Sequence, residues 1–132
     1  MKPIAPGTRH SFTVQTGKRD TAEAFGNAGV PVVGTPALVG FLETAAERCL
    51  RPYYEGKEGS VGTTIDVAHL APALENATLE AHAEVVRVEG RKVRFAVEAR
   101  LGETVLMKGF HERAVVDLER FLAKLGVPPA RR

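Results

Sequence analysis

The sequence has no tryptophan, and its two tyrosines and six phenylalanines bring the aromatic share to only 6%. A platform that stacks nucleobases needs more rings than that. Nor is there an excess of charge of one sign: 18 Lys and Arg stand against 16 Asp and Glu. A nucleic-acid footprint needs clustered positive charge, so no nucleic-acid partner is expected. Cysteine is nearly absent. Cys49 stands alone, which excludes an internal disulfide and a cysteine cage for a metal. No apolar run approaches the roughly 20 residues of a spanning helix. Residues 1–7 carry no apolar stretch of the signal-peptide kind. The expectation is a soluble protein in a reducing, cytoplasmic setting, with no membrane partner.

What is present is the balance of an ordinary globular chain: 132 residues, 44% hydrophobic and 26% charged. A chain of this length buries roughly two-thirds of its unfolded surface as one domain, so 1–132 is read as a single unit. Phe12 and Val14 alternate with polar neighbours, which predicts a first strand over Arg9–Gln15. Asp20 to Phe25 reads as one or two helical turns, followed by a loop marked by Gly26, Gly29, Pro31 and Gly34. Thr35-Pro36 predicts a helix start with Thr35 as its cap, and Pro52 a stop after about Leu50. On that helix Leu38, Val39, Phe41, Leu42, Ala45, Ala46, Cys49 and Leu50 share one wide apolar arc, with Glu43 at its edge.

Beyond Gly59 the period becomes two. Thr63, Ile65, Val67 and His69 share a strand face; strands over Thr78–Val88, Lys92–Arg100 and Thr104–Val116 follow at hairpin spacing. Asp117 caps a short last helix with a stripe of Leu118, Phe121, Leu122 and Leu125. The predicted class is α+β, with one long apolar helix covered by a curved antiparallel sheet of about five strands.

Four residues stand out for chemistry. His69 lies on the apolar face of its strand. It is either a core histidine satisfied by a backbone carbonyl, the commoner case, or an imidazole aimed into a cleft. Glu43 at the arc's edge is either a boundary residue reaching water or a carboxylate in a partly dry site, fit to act as base or nucleophile. Thr35 is explained as a cap, and a helix N-terminus also receives negative charge. Gly62 is a strand-entry glycine or a place where a substrate approaches a backbone amide. His82, between Glu80 and Glu84, reads as solvated. The four histidines His10, His69, His82 and His111 show no ligand spacing, so no metal is expected. Cys49 reads as helix packing rather than a nucleophile. No nucleophile elbow, phosphate loop or dinucleotide fingerprint occurs.

Gly34-Thr35-Pro36-Ala37-Leu38-Val39-Gly40-Phe41-Leu42-Glu43, then Gly59-Ser60-Val61-Gly62-Thr63 with Val67-Ala68-His69-Leu70, then Gly109-Phe110-His111-Glu112-Arg113 occur in this order. Together they resemble the fluoroacetyl-CoA thioesterase-like group of hotdog-fold proteins, over about Val32 to Lys124. The resemblance implies a homodimeric acyl-CoA thioesterase that cleaves a small acyl-CoA, needing no cofactor beyond the CoA of its substrate. It places the catalytic set on Thr35, Glu43 and His69 and a substrate-binding backbone amide on Gly62. It further implies sites at the dimer interface. The fluoroacetyl-specific member carries an aromatic-rich lid before the central helix; here the stretch Thr21–Val33 offers only Phe25, and fluoroacetyl specificity is not carried over. Two other functions stay open at this point: a protein that binds acyl-CoA without cleaving it, and a hotdog hydratase or dehydratase. Lys57, Arg91, Lys92 and Arg94 are either plain surface or contacts to CoA phosphates.

Overall fold

A computed structural model describes residues 1–128. Strand β1 (Arg9–Gln15) leads through two short 3-10 turns to helix α1 (Thr35–Leu50); β2 (Glu58–His69), β3 (Thr78–Glu89), β4 (Lys92–Leu101) and β5 (Thr104–Asp117) follow, and α2 (Leu118–Lys124) ends the fold. The five strands form one antiparallel sheet in the order β1-β3-β4-β5-β2. Strands β1 and β2 are therefore its edges, and α1 lies across one face. This is the α+β hotdog layout expected from the sequence.

The elements form for the reasons the pattern supplies. On α1 the buried residues are Ala37, Leu38, Leu42, Ala45, Ala46, Cys49 and Leu50: six of the predicted arc plus Ala37, while Val39 and Phe41 of that arc are only half-buried. The sheet answers with Leu79, Ala81, Ala83 and Val85 of β3 and Val93, Phe95, Val97 and Ala99 of β4, all buried. On the inward face of β3 the two alanines, Ala81 and Ala83, lie side by side between Leu79 and Val85, which lets the helix lie close to the sheet. Asp117 caps α2 as predicted, its Oδ1 accepting from the Arg120 amide at 3.0 Å. Burial raises the pKa of the Cys49 thiol, which suits packing and not nucleophilic attack.

Two expectations about local structure change. Thr35 is not the cap of α1: Gly34 holds that position, with extended backbone, and Thr35 is the first helical residue with its hydroxyl free for another partner. The face bearing His69 is not dry either. Because β2 is an edge, Ile65 is 42% exposed, and Thr63 and His69 are exposed as well. Period-two alternation describes which side a residue takes but not whether a neighbouring strand covers it.

Strand β2 carries a bulge. Gly62 faces Arg113 and Thr64 faces Glu112, leaving Thr63 without a partner in register. Further along, β2 and β5 approach so closely that only glycine fits at 109. A Cβ there would collide with the Asp66 carbonyl oxygen and lie 2.7 Å from Val67 Cα. Both obstacles are backbone, which cannot rotate away. Gly109→Ala is expected to lower stability by about 1–3 kcal/mol, read as a shifted midpoint in chemical denaturation; an unchanged midpoint would mean the two strands separate freely.

Candidate functional site

The predicted residues gather in two clusters at the free β2 edge. The first lies where the N-terminus of α1 meets the end of β2: Thr35 Oγ1 and His69 Nδ1 are 2.7 Å apart. With the hydroxyl donating to Nδ1, the ring proton sits on Nε2, ready to donate outward. The bond exists because Thr35 is released from capping.

The second cluster surrounds Glu43, two turns further along α1. Gly62 lies directly against this carboxylate: a Cβ on it would sit 2.7 Å from Glu43 Oε2 and 3.1 Å from His111 Cε1. Any side chain at 62 would displace the carboxylate, so glycine is needed there for space and not only for strand entry. Arg113 Nη1 is 3.7 Å from Glu43 Oε2, with the arginine side chain 8% and the glutamate 44% exposed. Glu43, Gly62, Thr63, Thr64, Ile65 and His111 line a recess of about 170 Å³.

Within one chain these clusters stay apart. Thr35 and Glu43 are separated by about 12 Å of helical rise, and Gly62 and His69 by roughly 23 Å of strand. Thr35 partners His69 and not Glu43, so it does not position that carboxylate within a protomer.

Two residues of the second cluster, His111 and Arg113, were given no role in the sequence reading. His111 is 1% exposed. Its Nδ1 is 2.7 Å from the Thr64 carbonyl oxygen, which only a protonated Nδ1 can use. Its Nε2 then accepts from Arg113 Nη1 at 3.2 Å, and its ring stacks on Phe95 at 6.4 Å between centroids. The signal was available: residues 107, 109, 111, 113 and 115 share one face of β5, and Met107 and Val115 on that face are buried. A period-two count places His111 and Arg113 inward with them.

The basic candidates for CoA phosphates are mostly engaged elsewhere: Lys57 with Glu119 at 2.6 Å, Arg91 with Glu58 at 2.6 Å and Arg94 with Glu112 at 3.2 Å. His82 stays on the outer face, 3.0 Å from Glu80. No three His, Cys, Asp or Glu side chains converge on a metal position among the described residues.

Burial holds the His111 pKa below its usual value, with Arg113 pushing the same way against the Thr64 carbonyl and Glu43. The unfolded chain, titrating near about 6.5, then binds the proton more readily than the folded one. The stability contributed by neutral His111 is full above that pH and is lost as pH falls below it. The stability gap between wild type and His111→Gln is therefore expected to narrow from pH 8 to pH 5 in urea titrations. A gap that holds constant would contradict the neutral, buried imidazole.

Comparison with known proteins agrees with the resemblance. A model of the fluoroacetyl-CoA-specific thioesterase family matches residues 17–119. The fluoroacetyl-CoA thioesterase of Streptantibioticus cattleyicolor is 43% identical over 94 residues, 71% of this chain and 68% of that protein. A solved fluoroacetyl-CoA thioesterase is 33% identical, with 95% of this chain and 97% of that one covered at a TM-score of 0.87. A thioesterase superfamily member from Thermus thermophilus superposes at a TM-score of 0.85 with 26% identity, 96% of each chain covered. A family match across most of the chain, carried by a shared fold, places this chain in the fluoroacetyl-CoA-specific thioesterase family of hotdog proteins.

Proposed function

We propose that this protein hydrolyses a small acyl-CoA thioester to the free acid and CoA, at a site assembled from two copies of the chain. The observation that carries the reading is that both clusters, Thr35 with His69 and Glu43 with Gly62, open on the same unpaired strand edge. An edge of this kind invites pairing. A two-fold axis near Ile65 and Asp66, pairing β2 antiparallel with its copy, would set the His69 end of one strand against the Gly62 end of the other. The half-sites then complete each other. Family membership supports hydrolysis over mere binding and over hydration. Solved relatives at 32–34% identity hold acetyl-CoA, or fluoroacetate with CoA, which supports a CoA thioester as the ligand here.

The chemistry follows from the groups. The thioester carbonyl lies against the Thr35–His69 pair, where the imidazole N–H and the positive end of α1 stabilise the oxyanion. The Gly62 amide, beside Glu43 in the facing half-site, is the further donor. Glu43 supplies the carboxylate. It either adds to the carbonyl carbon, giving an anhydride as the thiolate of CoA leaves, which water then cleaves to the free acid and the restored carboxylate, or takes a proton from the water that attacks the thioester directly. Arg113 keeps the carboxylate facing the cleft. The recess of about 170 Å³ beside Glu43 suits a short acyl chain.

Glu43→Ala is expected to abolish thiol release across an acyl-CoA panel, and His69→Ala to slow it at least about 100-fold; a well-folded Glu43→Ala enzyme with near-normal turnover would refute the role.

The two-copy site has its own test. When inactive Glu43→Ala and His69→Ala chains are mixed and allowed to exchange, half the dimers are hybrid and each hybrid holds one intact site. About a quarter of wild-type activity should return. No return, with exchange verified by mass, would place the whole site within one chain.

A further inference from the structure

Arg113 carries its charge almost out of water, at 8% exposure, and its direct anion, Glu43, is 3.7 Å away, beyond hydrogen-bond length. A buried guanidinium so loosely paired needs other partners. Besides His111 at Nη1, its partners lead away along one path. Arg113 Nε donates to Ser60 Oγ at 2.8 Å and Nη2 to the Ser60 carbonyl at 3.0 Å. Ser60 Oγ is 2.7 Å from Tyr54 Oη, and Tyr54 Oη donates to Glu47 Oε2 at 3.1 Å. Each hydroxyl has one proton. Tyr54 gives its proton to Glu47, so Ser60 gives its own to Tyr54, and the chain runs from guanidinium to carboxylate without a mismatch. The phenol keeps its proton: burial, with smaller contributions from Glu47, pushes it up to about 12, although the Ser60 contact and the Arg113 charge pull the other way.

Glu47 lies one turn beyond Glu43 on α1, so the two carboxylates project from one side of the helix. Arg113 faces Glu43 directly and reaches Glu47 through two hydroxyls, on the oxygen that Arg51, paired to Glu47 Oε1 at 2.6 Å, leaves open. A guanidinium pinned at Nε and Nη2 by Ser60, and at Nη1 by His111, has no freedom to rotate away from Glu43.

We propose that Glu47, Tyr54 and Ser60 are positioning residues for the reaction: they lock the Arg113 fork, and through it the reacting carboxylate of Glu43, in the orientation that meets the thioester. The inference rests on the assignment of Glu43 as the reacting carboxylate. None of the three touches substrate. Their effect belongs in turnover and not in affinity, because a carboxylate that wanders still leaves the acyl-CoA contacts in place.

The test is a double-mutant cycle with Tyr54→Phe, which deletes only the hydroxyl, and Arg113→Lys, which keeps charge but loses the fork. Tyr54→Phe should lower kcat about 5–10-fold, the scale of one hydrogen bond lost from a network, with KM within about twofold. In the Arg113→Lys background the same substitution should cost nothing. Glu47→Gln, on a side chain 24% exposed that also pairs with Arg51 at 2.6 Å, should lower kcat in the same way. A readout independent of activity accompanies these. The Arg113 Nε proton, slow to exchange in the wild-type protein by NMR, should exchange faster in Tyr54→Phe. Wild-type kcat in Tyr54→Phe, an equal loss in both backgrounds, or unchanged Nε exchange would each overturn the inference alone. A wild-type protein inert to every acyl-CoA would overturn the assignment of Glu43 beneath it.

Discussion

The packing of α1 on the sheet is the constraint from which the rest follows. Leu38, Leu42, Leu50, Val85, Val93 and Phe95 are fully buried where the two meet, and an apolar side chain of that size is worth roughly 1.5–3 kcal/mol when taken out of water. That face fixes the rotation of the helix about its own axis. Once it is fixed, Glu43 must emerge at the β2 side and Thr35 must stand at the end of β2. Both candidate groups are thus placed by the burial of the apolar residues around them.

Inside this apolar contact β5 sends two polar side chains inward, His111 and Arg113. A fold alone does not call for them, since apolar residues of similar volume cost less to bury. Every nitrogen of the pair that approaches a neighbour does so in a defined direction: His111 to the Thr64 carbonyl, Arg113 to Ser60, His111 and Glu43. The bulge at Thr63 is part of the same device, because it turns Gly62 beneath the Glu43 carboxylate and brings the Thr64 carbonyl to the imidazole. Polar satisfaction and low local dielectric make such a cluster rigid, which is what the role proposed for Glu43 needs.

The strand that holds these groups is also the least covered. Ile65 and Leu70 expose apolar surface along or just past β2, and among the described residues no strand pairs with its outer side. Under the proposed two-copy site, exposure of that kind would tie assembly to activity, since covering the edge would also close the site.

Much of this was legible in the residues. Period two in β3, β4 and β5 and the apolar arc of α1 set the elements, because burial of one face is a local property of spacing. Glu43 at the edge of its arc and His69 on its strand were visible for the same reason. Three things were decided only by the tertiary structure. Strand order made β2 an edge and so left His69 in the open, which no alternation pattern encodes. The choice of Gly34 over Thr35 as cap freed a hydroxyl whose partner lies 34 residues away. The convergence of Glu47, Tyr54, Ser60 and Arg113 joins a helix, the turn after it and two strands. Sequence spacing fixes which way a side chain points along its own element, but only the packing of elements on one another decides what it meets there.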